Sequence, residues 1–520
     1  MSLISVNHLS FYYDNSVDYI FDDVSFQIDT DWKIGFIARN GRGKTTFLNL
    51  LLGKYEYRGS ISSGEPFDYF PFKVTDMSQN TIDVLEHIDP DYEFWKVCRE
   101  LSLLGVPEEV LFRPFDTLSN GEQTKVELAL LFSKDNHFLL LDEPTNHLDM
   151  PTRELLRDYL KSKKGFLLVS HDRDLLDACV DHVLVINKTN IEVCQGNFST
   201  WWENKKRQDA YEMAENERLK KDIRRLKEAA RQASEWADEV ESTKIGKKSE
   251  KYEKCTDTRA YVGEKSRRMQ MRRKNLERRQ NREITEKEGL LKNIESAEDL
   301  KLFPQRHYKP VLARFEDVQI SYDGKTLPPV SLTIENGDRV ALCGRNGCGK
   351  SSIIKVLLQE NRKDAAMRRD TETEYDTYVN GWQEVKYTGK AELAGGLKIS
   401  YVPQDTGFLK GSLKAFAEKR GIEEALFFAI LRKLDFSREQ FEKNMEDYSG
   451  GQKKKVLIAA SLCEQAHLYI WDEPLNFIDV FSRMQIEELI LKFCPTLLFV
   501  EHDKTFVDKI ATKVVDYKEE

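Results

Sequence analysis

Long apolar runs are missing from this sequence: no stretch approaches the roughly 18 apolar residues that a membrane-spanning helix needs. The first residues, MSLISVNHLSF, lack the basic-then-apolar pattern of a targeting signal. Cysteine is also scarce, with eight residues scattered over 520 and no C-x-x-C pair, which excludes a disulfide framework and a cysteine metal cluster. We therefore expect a cytoplasmic protein without a membrane domain, large enough for two domains of about 200 residues and a connector.

Proline and glycine are nearly absent from residues 204–300, where Lys, Arg, Glu and Ala dominate. That composition is typical of long exposed helices. A seam with alternating spacings of four and three predicts a coiled coil, formed by Leu219, Ile223, Leu226, Ala230, Ala233, Ala237 and Val240. With a less regular return segment, residues 205–308 would form an antiparallel helical hairpin, whose tip near 241–264 projects on the order of 50 Å.

This connector is basic in an otherwise acidic chain. Residues 204–300 carry 27 Lys or Arg and 21 Asp or Glu, whereas the whole chain has a net charge of −9. Basic side chains suit contact with phosphates, and aromatic rings can stack on splayed RNA bases. The candidate RNA-binding residues are Lys247, Lys248, Tyr252, Arg259, Tyr261, Lys265, Arg267, Arg268, Arg272 and Arg273. A solvated helical face is the other interpretation of such a charge run.

Two phosphate-binding patterns flank the connector, ARNGRGKTT and GRNGCGKSS. Glycines let successive backbone N–H groups turn toward phosphates, Lys44 and Lys350 pair with the outer phosphates, and Thr45 and Ser351 reach magnesium. The remaining candidate nucleotide-binding residues of the two loops are Asn40, Gly41, Arg42, Gly43, Thr46, Gly344, Arg345, Asn346, Gly347, Cys348, Gly349 and Ser352. A buried apolar strand before each loop and a helix after it predict α/β domains.

Each half also has an apolar run that ends in a pair of acids, Asp142 with Glu143 and Asp472 with Glu473. The first acid of such a pair can hold magnesium through water, and the second can orient or deprotonate a water that attacks the γ-phosphate. A later apolar strand ends in His171 in one half and in His502 in the other, where a histidine could sense that phosphate. The alternative is a solvated acidic turn after a strand.

A small polar loop opens a helix between each phosphate loop and its acidic pair, LSNGEQ in the first half and YSGGQK in the second. Serine and glycine at a helix N-terminus present backbone N–H groups and the positive end of the dipole to an anion. The candidates are Ser119, Gly121, Ser449, Gly450 and Gly451. In isolation each loop is equally well interpreted as an ordinary N-cap.

Together these motifs resemble the ATP-binding-cassette (ABC) ATPases over residues 1–204 and 309–520. The resemblance implies two ABC nucleotide-binding domains that bind ATP and Mg²⁺ at two composite sites, each closed by the opposite cassette. One site would unite Lys44, Thr45, Asp142, Glu143 and His171 with Ser449, Gly450 and Gly451. The other would unite Lys350, Ser351, Gln404, Asp472, Glu473 and His502 with Ser119 and Gly121. Tyr13 and Tyr322 occupy the place of the aromatic residue that stacks on adenine in this family; the alternative is a core tyrosine.

The first half departs from the family pattern at several positions. Ala38 replaces the first glycine of the phosphate loop, and Phe72 stands where the second half keeps Gln404, the residue that would contact magnesium. Its signature loop has Asn120 and Glu122 in place of Gly and Gln. The two sites therefore need not hydrolyse ATP at equal rates.

Tandem cassettes joined by a basic helical arm resemble the ABC-F group. The segments FQIDTDWKIGFIARNGRGKTTFLNLLLGKYEY, LSNGEQTKVELALLF and RAYVGEKSRRMQMRRK are most similar to its Lsa-type antibiotic-resistance proteins. The resemblance implies a cytoplasmic ATPase, monomeric with intramolecular cassette pairing. It would bind the bacterial 70S ribosome, at 23S rRNA and P-site tRNA near the exit site, and move its arm toward the peptidyl-transferase centre. That subgroup is associated with lincosamides, streptogramin A compounds and pleuromutilins. A housekeeping ABC-F translation factor, a transporter ATPase and a DNA-handling ATPase are the alternatives.

Overall fold

Strands and helices alternate along both halves of the chain in the computed structural model, which describes residues 2–13, 19–146, 148–187, 190–242, 271, 304–322, 325–368 and 384–517. The strands of the first half are β1 Leu3–Phe11, β2 Phe21–Asp29, β3 Lys33–Ile37, β4 Arg58–Ser62, β5 Phe67–Phe70, β6 Phe138–Asp142, β7 Phe166–Val169, β8 His182–Asn187 and β9 Asn190–Gln195. Its helices are α1 Lys44–Leu51, α2 Thr81–Ile88, α3 Phe94–Leu103, α4 Asn120–Ser133, α5 Met150–Ser162, α6 Arg173–Cys179 and α7 Phe198–Ser242, with short 3₁₀ turns at Glu108–Phe112 and Phe115–Thr117.

The central sheet of the first half has the strand order β5-β6-β7-β3-β8-β9. Its pairs are parallel except for β9, which runs antiparallel to β8. Strands β6 and β7 are continuous apolar runs and are buried along almost their whole length, as strands covered on both faces must be. Because β3, β7 and β6 are neighbours and parallel, their carboxyl ends meet at one edge of the sheet.

A second, antiparallel sheet of order β2-β1-β4 packs against the opposite side of α1. Their shared core contains Val6 from β1, Phe47 and Leu48 from α1, and Phe138 from β6, all fully buried. Helix α1 is thus held between two sheets, which fixes the phosphate loop at its N-terminus.

The second half repeats this architecture. Its strands are β10 Val311–Tyr322, β11 Lys325–Thr326, β12 Val330–Glu335, β13 Arg339–Gly344, β14 Lys386–Leu393, β15 Ile399–Val402, β16 Leu468–Asp472, β17 Leu497–Val500 and β18 Lys513–Tyr517. Its helices are α8 Lys350–Arg368, α9 Leu413–Lys419, α10 Glu424–Lys433, α11 Arg438–Glu442, α12 Gly450–Cys463, α13 Val480–Phe493 and α14 Lys504–Ile510, with a 3₁₀ turn at Met445–Asp447. The parallel sheet has the order β15-β16-β17-β13-β18, and a second sheet pairs β11, β12 and β14 with β10. The predicted α/β architecture, repeated in two halves of the chain, is confirmed.

Helix α7 runs for 45 residues without interruption. It begins six residues before residue 204, where the composition predicts that the helical connector starts. Asn197 caps its N-terminus, because its side chain accepts the Thr200 backbone N–H at 3.0 Å. Along the predicted seam Ile223 is buried and Leu219 and Leu226 are half-buried. The side chains of Ala230, Ala233, Ala237 and Val240 lie outside the described residues.

By its internal contacts the chain divides into two units, Met1–Trp201 with Glu298–Glu520 and Trp202–Ala297. The first unit contains both cassettes. Within the described part of the chain, no helix is both long enough and apolar enough to cross a membrane.

Candidate ATP sites

The first phosphate loop leaves β3 and enters α1 through a left-handed turn. Gly43, with φ 91°, is the N-cap of α1, and a Cβ there would lie only 2.6 Å from Ile20 Cγ2. Glycine is therefore needed at this position both for backbone conformation and for space. The Lys44 ammonium lies 3.0 Å from the Ala38 carbonyl oxygen and 3.3 Å from His171 Nε2. The loop thus holds its lysine against the histidine at the end of β7.

The first acidic pair lies next to this lysine, at the end of β6. The Glu143 backbone has φ 53°, a sparsely populated conformation for a residue with a side chain, and its N–H donates to the Val169 carbonyl at 2.9 Å. Glu143 Oε1 lies 3.2 Å from His171 Nε2. Strained backbone of this kind recurs at catalytic positions. The structure therefore brings Lys44, Asp142, Glu143 and His171 together at one sheet edge.

Burial governs the ionisation of these groups. It raises the pKa of Glu143 to about 7, against the attraction of the Lys44 ammonium. Burial and the same ammonium hold the pKa of His171 well below its usual range, so that its imidazole is neutral. A carboxylate with a pKa near neutrality is suited to accept a proton from water, and a neutral imidazole can donate one hydrogen bond and accept another.

The second phosphate loop has the same form. Gly349, with φ 108°, would place a Cβ 2.5 Å from Leu327 Cδ1, and the Lys350 ammonium donates to the Gly344 and Arg345 carbonyls at 2.8 and 2.7 Å. Cys348 is buried in the core, so only its backbone can face a phosphate. Among the other candidate residues of the two loops, Gly41, Arg42, Thr45, Arg345, Asn346 and Gly347 are exposed, Asn40, Gly344 and Ser352 are half-buried, and Thr46 is buried.

The second acidic pair repeats the geometry of the first. Glu473 has φ 46°, and its N–H donates to the Val500 carbonyl at 3.0 Å. His502 Nε2 lies 3.8 Å from Glu473 Oε1, and burial together with the Lys350 ammonium lowers the pKa of His502 to about 3. Ser351 Oγ donates to Asp472 Oδ1 at 3.2 Å, and burial raises the pKa of Asp472 to about 6.

The residues at the glutamine position differ between the cassettes. Gln404 donates to Glu473 Oε2 at 2.8 Å in the second. In the first, Phe72 contributes only its backbone N–H, which donates to Glu127 Oε2 at 3.2 Å. The oxygen ligands predicted for magnesium, Thr45 with Asp142 and Ser351 with Gln404 and Asp472, are of the hard type that this cation takes, and Ser351 already contacts Asp472. The donor sets therefore fit Mg²⁺.

Both predicted adenine-stacking tyrosines lie beside the start of a phosphate-loop helix. The Tyr13 hydroxyl is 2.9 Å from Thr46 Oγ1, and the Tyr322 hydroxyl donates to Ser352 Oγ at 3.0 Å. Their exposed fractions are 40% and 42%, which rules out a core position for either ring. Each ring is thus accessible at the edge of a phosphate loop.

The signature loop of the second cassette contacts the first phosphate loop. The Asn40 side-chain amide donates to the Phe477 carbonyl at 2.8 Å, and a Cβ on Gly451 would lie 3.1 Å from that amide nitrogen. Arg39 forms an ion pair with Asp435 of the second cassette. Ser449 caps α12 by accepting the Gln452 backbone N–H at 3.4 Å, next to Gly450. The predicted pairing of this loop with the opposite cassette is therefore present in the geometry.

The second phosphate loop contacts the first cassette through its backbone. The Asn346 N–H lies 3.4 Å from Asp149 Oδ2 of the first cassette, whereas a Cβ on Gly121 would lie 3.7 Å from Leu148 of its own cassette. Ser119 caps α4 within a capping box completed by Glu122. Both signature serines are thus N-caps, and the position of Gly451 places the loop of Ser449 next to the phosphate loop of the other cassette.

Several contacts between the cassettes were not predicted from the sequence. The Arg153 guanidinium donates to the His502 carbonyl at 3.3 Å and to Asp172 Oδ2 at 3.5 Å, so it links the two histidine loops. Arg173 forms a bidentate ion pair with Glu487, and both side chains are buried. No local motif marks these partners, which lie more than 300 positions apart in the sequence.

An aromatic ring connects the first phosphate loop to the start of α7. The Phe481 ring lies 5.8 Å from the Arg39 guanidinium carbon and 6.0 Å from the Trp201 ring, edge to face. Trp201 is the fourth residue of α7 and is buried. The first nucleotide loop and the first turn of α7 therefore share one packing partner.

The predicted RNA-binding residues cannot be placed. Lys247, Lys248, Tyr252, Arg259, Tyr261, Lys265, Arg267, Arg268, Arg272 and Arg273 all lie outside the described residues.

Comparison with known proteins agrees with this geometry. Residues 21–146 and 327–476 both match the ABC transporter family profile. Ribosome protection protein VmlR of Bacillus subtilis (strain 168) is 26% identical over 496 residues, which cover 94% of this chain and 82% of that protein. ABC transporter F family member 5 of Arabidopsis thaliana is 22% identical over 555 residues, which cover 96% of this chain and 73% of that protein.

Two solved structures share the fold over 99% of this chain and 88% of theirs, each at 18% identity. They are the archaeal ribosome recycling factor aABCE1, in complex with the stalk protein aP1, with a TM-score of 0.61, and RNase-L Inhibitor, with a TM-score of 0.62. The chain therefore belongs to the ABC transporter family, carries two of its ATPase domains in tandem, and groups within that family with the ABC-F proteins.

Proposed function

We propose that this ATPase binds the bacterial 70S ribosome when its cassettes close on ATP, and that it protects the ribosome from antibiotics at the peptidyl-transferase centre. The observation that carries the proposal is that both phosphate loops contact the opposite cassette of the same chain, while a 45-residue helix leaves the first cassette. The name of the VmlR relative, a ribosome protection protein, supports the choice of target.

At each site the residues of the chain bind ATP, and they orient and activate the attacking water. Lys44 and Lys350 bind the outer phosphates of ATP, and the opposite signature loop completes each site. Glu143 and Glu473 orient the attacking water or accept its proton, and the neutral imidazoles of His171 and His502 contact the γ-phosphate. When bound at these oxygen ligands, Mg²⁺ would supply neutralisation of the phosphate charge.

ATP acts as the switch because each nucleotide is held from both cassettes only in the closed form. Binding therefore stabilises closure by the difference in affinity between the two forms, and hydrolysis removes that bias. Contacts between the cassettes, such as Asn40 with Phe477 and Arg173 with Glu487, would add to the stability of the closed form.

The arm would perform the work on the ribosome. In the closed form its tip, near residues 241–264, would be inserted beside 23S rRNA and P-site tRNA close to the exit site. Displaced bases or tRNA would then release a lincosamide, a streptogramin A or a pleuromutilin. Lys247, Arg267 and the other basic residues of the arm would contact RNA phosphates. The protein would act in the cytoplasm as a monomer.

Cosedimentation with purified 70S ribosomes tests the proposal. The Glu143→Gln, Glu473→Gln protein, which should bind ATP but hydrolyse it slowly, is expected to pellet with ribosomes in ATP and not in ADP at near-physiological salt. The matched control is the Lys44→Ala, Lys350→Ala protein, which is expected to stay in the supernatant with either nucleotide. Equal pelleting in ATP and ADP, or none in either, would refute ATP-dependent ribosome binding.

A housekeeping ABC-F role is the second candidate, because the relative from Arabidopsis thaliana is named only as a member of the ABC transporter F family. Expression in a drug-sensitive host separates the two functions. A resistance protein raises the inhibitory concentration of at least one of the three drug classes, whereas the Glu143→Gln, Glu473→Gln protein does not. Unchanged susceptibility to all three would favour the housekeeping role.

A further inference from the structure

The two ATP sites hold their magnesium-binding aspartates by different means. In the second cassette, Asp472 Oδ1 accepts a hydrogen bond from Ser351 at 3.2 Å. In the first, Asp142 Oδ2 accepts a hydrogen bond from the Tyr69 hydroxyl at 3.0 Å. Tyr69 lies on β5, which is hydrogen-bonded to β6 and pairs Tyr69 with Leu140, two residues before the aspartate. The tyrosine therefore reaches Asp142 from the neighbouring strand.

Tyr69 lies three residues before Phe72, on the strand that leads to the missing glutamine. In the second cassette the equivalent segment supplies Gln404, whose amide donates to Glu473 at 2.8 Å. The phenylalanine side chain carries no polar atom, and its backbone N–H is directed to Glu127. In the first cassette this segment therefore reaches the acidic pair through a different side chain, since the Tyr69 hydroxyl donates a hydrogen bond to Asp142.

The equivalent tyrosine of the second cassette has a different environment. Tyr401 pairs with Ile470 on the neighbouring strand, as Tyr69 pairs with Leu140, but it is only 3% exposed and packs within the hydrophobic core. Tyr69 is partly exposed, and the Lys54 ammonium lies 5.3 Å from its ring centroid. The two tyrosines share a strand position but differ in burial, and Tyr69 bonds to the carboxylate of Asp142.

We propose that Tyr69 is a positioning residue for the first ATP site, which orients the Asp142 carboxylate toward Mg²⁺ where the site lacks the glutamine. A hydrogen bond from an outer group fixes the rotamer of a metal-binding carboxylate, so the ligand need not be ordered when the cation binds. With Oδ2 bonded to the tyrosine, Asp142 retains its other oxygen for the cation. The inference rests on the magnesium dependence proposed above and concerns the first site alone.

The test uses Mn²⁺ as the probe in the full-length chain. Lys350→Ala removes nucleotide binding at the second site, and electron paramagnetic resonance of free Mn²⁺ then measures the metal affinity of the first site in the presence of ATP. Adding Tyr69→Phe is expected to weaken that affinity by about tenfold, the usual effect of removing an outer-shell partner. ATP affinity measured in EDTA, where no metal is present, is expected to stay within about twofold.

Two further variants separate positioning from general structural damage. Tyr401→Phe in the Lys44→Ala protein removes the same atom from the equivalent strand position of the site that keeps Gln404, and the Mn²⁺ affinity of the second site is expected to fall by less than that of the first site does with Tyr69→Phe. Phe72→Gln restores the missing amide, so it is expected to recover most of the affinity that Tyr69→Phe removes.

The outcomes distinguish the inference from the proposed function. If the first site binds Mn²⁺ equally well with tyrosine or phenylalanine at position 69, the positioning role is wrong, whatever the protein does on the ribosome. A loss that Phe72→Gln does not rescue would overturn the replacement of the glutamine by Tyr69. If the first site of the parent protein binds no Mn²⁺, both the inference and the magnesium assignment of that site are wrong.

Discussion

Replacing Arg173 with methionine removes the cationic half of a buried ion pair between the two cassettes. The side chains of Arg173 and Glu487 are only 4% and 5% exposed. Breaking a buried pair on one side costs roughly 3–5 kcal/mol, because the remaining charge is left buried. The Lys509 ammonium, 3.4 Å from the same carboxylate but half exposed, retains part of the compensation. We therefore expect closure of the cassettes to weaken by about 2–4 kcal/mol, or roughly 30- to 700-fold.

Fluorescence energy transfer between dyes on the two cassettes measures this effect. In the Glu143→Gln, Glu473→Gln background, Arg173→Met is expected to raise the ATP concentration for half-closure by at least about fivefold, because a roughly 30-fold loss is shared between two bound ATP molecules. The matched control is Lys504→Met, since Lys504 follows the second histidine as Arg173 follows the first. Its pair with Glu154 spans 2.8 Å, but the side chains are 44% and 48% exposed, so its loss should cost about 0–1 kcal/mol.

A double substitution checks the electrostatic reasoning. Arg173→Met with Glu487→Met leaves no unpaired buried charge, so it is expected to close more readily than Arg173→Met alone. If the buried charge left by Arg173→Met carried no such cost, Arg173→Met and Lys504→Met would shift half-closure equally, or the double substitution would close no more readily than the single one.

Packing at Gly451 and burial of Glu127 both affect the stability of the folded protein. Gly451→Ala would place its Cβ 2.3 Å from the Phe477 carbonyl oxygen, so it should lower the free energy of unfolding, measured by thermal denaturation, by about 1–3 kcal/mol. The equivalent Gly121→Ala, whose nearest contact is at 3.7 Å, should change it by less than about 1 kcal/mol. Equal losses in the two variants would contradict this prediction. Burial raises the pKa of Glu127 to about 7, so the folded state loses stability as pH rises from about 4.5 to 7. Glu127→Gln should remove this loss. In denaturant titrations, the free energy of unfolding of the variant minus that of the parent protein should therefore grow by about 3 kcal/mol between those pH values and then level off. A difference that stays constant across pH would contradict this prediction.

Local motifs in the sequence were sufficient to identify the residues of the candidate ATP sites. The phosphate loops, the acidic pairs and the histidines each follow an apolar strand, and parallel strands bring their carboxyl ends to one edge, so Lys44, Glu143 and His171 could be predicted as neighbours. The strained backbone of Glu143 and Glu473 could not, because a glutamate gives no sign that it will adopt a positive φ.

Contacts between residues far apart in the sequence could not be predicted from it. Tyr69 and Asp142 are 73 positions apart, and their hydrogen bond depends on the pairing of β5 with β6, which no motif encodes. The partner of Arg173 was equally hidden, since a buried arginine looks like any surface cation in the sequence. The helix start at Phe198 was missed because the composition changes only after residue 204, whereas the cap at Asn197 is a single-residue signal.

The contact between Trp201 and Phe481 ties the first turn of α7 to the first phosphate loop. Phe481 also lies against Arg39 of that loop, so one ring touches both the nucleotide loop and the start of the helix. The 45 residues of α7 extend about 68 Å at 1.5 Å per residue. A change of packing at this ring would therefore act both on the loop that binds ATP and on the first turn of a long, unbroken helix.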